Sequence, residues 1–168
     1  RVTIDALLTA KQHLTGALEG GLDPRAKKPS WSGRVQSVAL TGPSAFTLTA
    51  PATLIASADL VELGQARLTG EWGEATFEVT RWTPRTLDLK GSSPRLAVWY
   101  TARALRLPEV RRSDLVMAAD WDVHSGETFD GRASLKRLSG DLRVGDPVLA
   151  LGLEEVTATL EAVRGRVE

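Results

Sequence analysis

Between Trp31 and its C-terminal end the chain is a series of short runs in which apolar and polar side chains alternate. Leu115, Met117, Ala119, Trp121 and Val123 take every second position, with Val116, Ala118, Asp120 and Asp122 between them. The same period recurs at Ala75-Phe77-Val79, at Phe129-Gly131-Ala133-Leu135 and at Val156-Ala158-Leu160-Ala162. Successive side chains of a strand point to opposite faces, so each run has one greasy face and one wet face. A long succession of such runs predicts a mostly β chain built on one extended sheet.

Turn residues mark where the runs break. Strands are expected at about 2–10, 12–18, 33–41, 45–50, 52–58, 60–70, 73–82 and 85–90. They resume at 114–124, 127–138, 140–145, 147–151 and 153–162. Gly42-Pro43-Ser44, Pro51, Gly64, Gly70, Gly73 and Pro84 punctuate the first group, as hairpin and bulge positions should. The glycine- and proline-bearing stretch 20–30 reads as a loop. Residues 95–107 break the rhythm: Leu96, Trp99, Tyr100, Arg103 and Leu107 fall at helical spacing between Pro94 and Pro108. One short amphipathic helix is expected there.

Short turns favour pairing of sequential strands, so the predicted topology is an antiparallel meander. Twelve or thirteen strands at about 4.8 Å each would make a ladder roughly 60 Å long. A sheet of that size must curl, split or close. The expected form is a meander folded over its apolar face into a taco-like groove.

Composition narrows the function classes. Acidic and basic residues balance at 21 each, and no basic stripe stands out, which argues against nucleic acid as a partner. The absence of cysteine removes disulfides, thiol nucleophiles and thiolate metal sites. No apolar stretch reaches the roughly 20 residues that span a bilayer as a helix. Both ends fall in strand-like sequence, so residues 1–168 are read as one β-rich segment of a larger protein, with any membrane anchor elsewhere.

Nothing in the chain suggests catalysis. His13 and His124 are the only histidines, and neither has a second His, Cys or close acidic residue at metal spacing. No serine sits in a nucleophile elbow, and phosphate-binding and dinucleotide fingerprints are missing. Asp120, Asp122, Asp130, Asp141 and Asp146 match neither an EF-hand nor a calcium-binding repeat, and they read as solvated-face and turn residues. Arg111-Arg112-Ser113-Asp114 reads as a charged loop. No catalytic residue, metal or cofactor is expected.

The apolar stripe remains, and it has two readings. It could be the dry interior of a closed sandwich or barrel. It could equally line an open groove. Many inward positions are small, among them Ala39, Ala50, Ala58, Ala66, Ala75, Ala119, Ala133 and Ala158. Such walls leave room for a guest, and they also permit close sheet packing.

Several short motifs recur in a telling order. Trp31-Ser-Gly-Arg-Val-Gln-Ser-Val-Ala-Leu leads to Phe46-Thr-Leu-Thr-Ala-Pro-Ala, then to Trp72-Gly73. Ser113-Asp-Leu-Val and Ala119-Asp-Trp121 follow, then Ser139-Gly-Asp-Leu and Leu151-Gly-Leu. This series resembles the middle region of TamB-type translocation and assembly proteins, relatives of the AsmA-like bridge proteins of diderm bacteria, over roughly residues 31–160.

The resemblance implies a periplasmic rod anchored in the inner membrane, whose other parts reach an outer-membrane TamA-like protein. It implies an apolar groove that moves phospholipids between the membranes, and a role in outer-membrane protein and autotransporter assembly. It carries no catalytic residues. On this chain the implied groove maps onto Val38, Leu40, Phe46, Leu48, Phe77, Val79, Leu115, Met117, Trp121, Phe129, Leu135, Leu142, Val144, Val156 and Leu160. The expected partner is the phospholipid acyl chain.

Two other readings compete. A non-catalytic scaffold would bind unfolded outer-membrane protein strands at its sheet edges. A closed β-sandwich would be a binding module, for carbohydrate by way of exposed tryptophans. Open edges also leave room for edge-to-edge self-association.

Overall fold

Among the described residues every strand pairing is antiparallel, and consecutive strands are the usual partners. The computed structural model describes residues 1–9, 11–23, 29–42, 44–100, 113–144, 148–163 and 166–167. The first strands are β1 (Val2–Thr9), β2 (Gln12–Asp23), β3 (Ser30–Thr41), β4 (Phe46–Leu48), β5 (Ala52–Ser57), β6 (Val61–Leu63) and β7 (Ala66–Gly70). Next come β8 (Gly73–Trp82), β9 (Leu87–Ala97), β10 (Val116–Ser125) and β11 (Phe129–Ser139). The last are β12 (Arg143–Val144), β13 (Leu149–Ala150), β14 (Thr157–Val163) and β15 (Arg166–Val167). Thirteen of them form one sheet, while β12 and β13 pair separately. The chain is a mostly β protein on one large antiparallel meander.

The sheet has a break at its centre. β3 holds β5 along its first half and β4 near its end, both on the same edge. Likewise β8 holds β7 with its first half and β6 with its last residues. So β4–β5 form one interrupted rung and β6–β7 the next. Pro51 has no amide to donate, which accounts for the first interruption. Two bonds close the ladder on either side: Thr49 N to Arg67 O at 2.9 Å, and Gly64 N to Thr53 O at 2.8 Å.

Three expectations change. The loop predicted at 20–30 is strand through Asp23 and again from Ser30, with 24–28 outside the described residues. Gly20 and Gly21 serve the strand here: Gly20 sits opposite Gly33. A Cβ at Gly20 would come within 2.6 Å of Trp31 Cζ2, and one at Gly33 within 2.7 Å of Trp31 Cη2, so the paired glycines make room for the indole. The run 60–70 is two strands. The helix expected at 95–107 is strand through Ala97 and helical only at 98–100, with 101–107 outside the described residues. Pro94 misleads because it lies in strand, at the irregularity where β9 is out of step with both neighbours and no ladder bond is asked of it.

The register sorts the side chains into two faces. Across the middle, Phe77, Gly91, Trp121, Ala133 and Leu160 form one continuous row. The next row on that face runs Leu54, Leu63, Thr80, Leu89, Val123, Gly131 and Ala162. At the other end Ile4, Gly16 and Val38 line up, as do Ala6, Leu14, Leu40 and Phe46. The opposite face carries Lys90, Asp122, Arg132 and Glu161 in one row, and Arg81, Asp88, His124 and Asp130 in another. One side of the sheet is hydrocarbon almost throughout, and the other is polar, with its charged rows across the middle.

The small β12–β13 sheet hangs on one carboxylate. Asp141 Oδ1 accepts the Leu142 amide at 2.8 Å and the Leu153 amide at 3.1 Å, and Oδ2 accepts Gly152 at 2.7 Å. Its own amide donates to Asp114 Oδ1 at 3.0 Å, and the Ser113 hydroxyl donates to its carbonyl at 2.8 Å. The Leu153 amide first, helped by Gly152, Leu142 and the charge of Arg137, holds the Asp141 carboxyl below its ordinary value. The Asp141 amide does the same for Asp114, with Arg143 assisting. A carboxyl lowered by folding stabilises the fold above the unfolded value, and that contribution is lost as pH falls through the folded one. The Gly152 and Leu153 amide resonances should therefore hold steady from neutral pH down to about pH 5 and move together below about pH 4. In Asp141→Asn that shared acid transition should vanish.

Candidate functional site: an apolar face with a cavity at the strand break

The apolar face forms a half-open cavity of about 320 Å³ beside the central interruption. Val35 and Val38 come from β3, Phe46 and Leu48 from β4, and Ala52 from β5. Leu63, Ala66 and Leu68 close it from β6 and β7, and Phe77, Thr80 and Leu89 from β8 and β9. On a flat sheet β3 and β9, four rungs apart, would be about 19 Å from each other. That both line one cavity of this size means the sheet curls about its apolar face.

Of the residues expected to form a groove, the fold brings Val38, Phe46, Leu48 and Phe77 into this cavity. Leu40 stands next to Phe46 in register. Trp121 reaches across Gly91 to meet Phe77, with ring centroids 5.6 Å apart at 57°. Glycine is required at 91: a Cβ there would lie 2.7 Å from Trp121 Cζ2 and would also collide with the Thr76 carbonyl oxygen. Phe129, Leu135 and Leu160 continue the same face towards β14 and are exposed. Val156 is half-buried just before β14, Leu142 is half-buried beside β12, and Val144 lies in β12.

Leu115 and Met117 are in phase with the apolar face but are sealed, at 5% and 8% exposure. They belong to a packed region with Ala119 and Ser93, whose hydroxyl donates to the Glu74 carbonyl at 2.5 Å. Val79 goes to the other face. The β8–β9 register shifts between Phe77 and Val79, which sets Val79 opposite Lys90 and leaves it 44% exposed. The extra residue of a bulge inverts the alternation beyond it. Thr80 then takes the inward position between Leu63 and Leu89.

Sequence reasoning missed Thr80, because no alternation count anticipates a bulge. Its Oγ1 is buried without a hydrogen-bond partner, and so is Trp121 Nε1. Among the described residues these are the two such side-chain atoms, and both belong to the apolar face. A buried unsatisfied hydroxyl or N–H costs about 1–3 kcal/mol.

The polar face is a lattice of exposed pairs: Arg67–Glu74 at 3.2 Å, Lys90–Glu78 at 3.6 Å, Arg132–Glu161 at 3.5 Å and Arg81–Glu62 at 3.9 Å. His13 Nε2 meets Asp5 Oδ1 at 2.5 Å across β1 and β2, and His124 pairs with Asp88 across β10 and β9. Each histidine has its carboxylate, but among the described residues no group of three His, Cys, Asp or Glu could hold a metal ion. Exposed pairs of this kind contribute at most about 1 kcal/mol each. They keep one face wet. Comparison with family models, with curated proteins and with solved structures found no match for this chain.

Proposed function

We propose that this chain is a segment of a periplasm-spanning protein of the TamB-type, AsmA-like kind, and that it carries phospholipid acyl chains along the apolar face of its sheet. One observation supports the reading above others: a continuous hydrocarbon face that curls around an apolar cavity while Phe129 and Leu160 stay open to solvent. An acyl chain exposed to water costs about 0.8 kcal/mol per methylene, on the order of 12 kcal/mol for sixteen carbons. A covered apolar track removes most of that barrier without chemistry. Contact between chain and wall is non-directional, so no fixed set of polar residues is needed.

In this reading the full-length protein is anchored in the inner membrane. Its other parts meet a TamA-like partner in the outer membrane and support assembly of outer-membrane proteins there. The scaffold reading draws on a different feature: the outer edge of β1 is unpaired among the described residues, with Leu7 79% exposed beside it. Such an edge can take an added strand. The closed-sandwich reading is less well served, since the second sheet among the described residues has just two strands.

Photoreactive residues in place of Leu48, Phe77 and Leu160, in protein purified from diderm bacteria, test the proposal. Phospholipid crosslinks at all three, and none from Lys90 or Arg132 on the polar face, are expected. Absence of lipid from every apolar-face position sinks it.

A further inference from the structure

Resting on that reading, we infer that Arg137 is a headgroup contact of the track: its guanidinium takes the phosphate of a lipid whose tail lies on β11 and β14. The apolar phase of β11 runs Phe129, Gly131, Ala133, Leu135 and then Arg137. Arg137 stands opposite Met117, and its amide donates to the Val156 carbonyl at 2.8 Å. Its row on the apolar face is thus the one that holds Phe46, Leu96 and Met117. Among the described residues it is the one charged side chain that the strand pairings place on that face.

Charge decides what such a residue can hold. Nε donates to the Gly140 carbonyl at 2.9 Å and Nη1 to the Glu154 carbonyl at 2.7 Å, which fixes the guanidinium at the rim of the face, where β11 ends. Two of its five N–H donors are used in this way. Nη2 has no partner among the described residues and is not buried. Carbonyls satisfy hydrogen bonds but do not cancel a charge. On the polar face Arg67, Arg81 and Arg132 each have a glutamate, whereas no described carboxylate stands at ion-pair distance from Arg137. The Asp141 carboxylate, whose charge it feels from further off, is already taken up by three backbone amides. A cation with donors to spare, set beside hydrocarbon, is complementary to an amphiphile that carries an anion at one end. Guanidinium matches phosphate in particular, with paired N–H groups. The hydrocarbon begins at once: Leu135, two residues back, is 38% exposed, and Leu160 lies opposite Ala133. Ala133 is four residues from Arg137, about 13 Å along the strand. A lipid tail spans half of a bilayer core, about 15 Å. A tail anchored at Arg137 therefore ends at or just beyond the row of Leu160, and the lipid lies along the strands with its headgroup at the rim.

Titration of the chain with 1-lauroyl lysophosphatidylglycerol, and with 1-monolauroylglycerol, which has the same tail without the phosphate, tests this. The lysolipid should bind about ten- to a hundredfold more tightly, the difference a charge-assisted hydrogen bond makes. In Arg137→Gln the two probes should bind about equally, and in Arg137→Lys, which keeps the charge, part of the preference should return. Leu160→Ser should weaken both probes alike, as loss of a tail contact does. Inorganic phosphate alone should bind at least about a hundredfold more weakly than the lysolipid, since burying four methylenes accounts for that ratio. Should loss of the two carbonyl bonds unfold Arg137→Gln, the unaltered protein decides: raising sodium chloride from about 0.05 M to about 0.5 M should shrink the lysolipid's advantage by screening. Equal affinity of the two probes for the unaltered protein overturns the inference, as does a preference that survives Arg137→Gln or ignores salt. So does phosphate binding as tight as the lysolipid's, or affinity for both probes untouched by Leu160→Ser. If lipid still crosslinks to Leu48 and Leu160 in any of those cases, the conduit proposal stands and the headgroup contact alone is lost. If neither probe binds and no position crosslinks, the conduit proposal falls as well.

Discussion

Gly91→Val will cost about 2–4 kcal/mol of stability, among the largest effects of any single substitution in this chain. The strand β9 passes beneath the indole of Trp121, and a side chain at residue 91 would enter the space that ring fills on its way to Phe77. It would meet the Thr76 carbonyl as well, which is backbone and cannot swing aside. Equilibrium denaturation in urea gives the loss. Trp121→Ala alone should cost about 2–4 kcal/mol, towards the low end for a tryptophan because the ring is half-buried. The double variant should recover part of the sum, since the indole clash is gone, but not all of it, since the carbonyl remains. Full additivity would show that the ring does not lie over Gly91 in solution.

Aspartate at Leu115 and aspartate at Leu160 should part company completely. Both positions follow the same alternation, yet Leu115 is 5% exposed and Leu160 52%. A carboxylate at residue 115 is buried without a partner, so Leu115→Asp should lose about 3–5 kcal/mol and leave much of the protein unfolded. Leu160→Asp and Phe129→Asp meet water at once and should cost less than about 1 kcal/mol. On the proposed function those two folded variants still interrupt the hydrocarbon track. Transfer of fluorescent phospholipid between donor and acceptor vesicles should drop at least tenfold in the full-length protein carrying either one. Normal transfer by both folded variants would remove the open face beyond β11 from the path. Thermal denaturation separates the two classes of variant before transfer is measured.

The contrast between those two leucines marks where sequence reasoning stops. Alternation told which phase of each strand is apolar, and the register bears that out for β10, β11 and β14, whose apolar phases fall on one face. It did not tell which of those positions would be sealed. That depends on what packs above each strand, and the contacts involved join residues far apart in the chain. Met117 and Leu135 read alike, and only one is buried.

Punctuation was the weaker signal. Gly20-Gly21 and Pro94 read as breaks, yet both sit in strands. The reason is non-local in each case. Gly20 gives space to Trp31 from the neighbouring strand, and Pro94 occupies a place where two ladders slip past one another. A turn-forming residue breaks a strand unless a partner strand has a use for its missing side chain or missing donor.

By itself the sequence determined that this protein is a meander of antiparallel strands with one wet and one greasy phase, because side-chain direction along a strand is a local property of period two. The tertiary structure decided the rest. It curled the sheet until β3 and β9 shared a cavity, slipped the register after Phe77 so that Thr80 and not Val79 turned inward, and closed Leu115 while leaving Leu160 open. Register and curvature are settled by pairings between strands distant in sequence, and no count along one strand contains them.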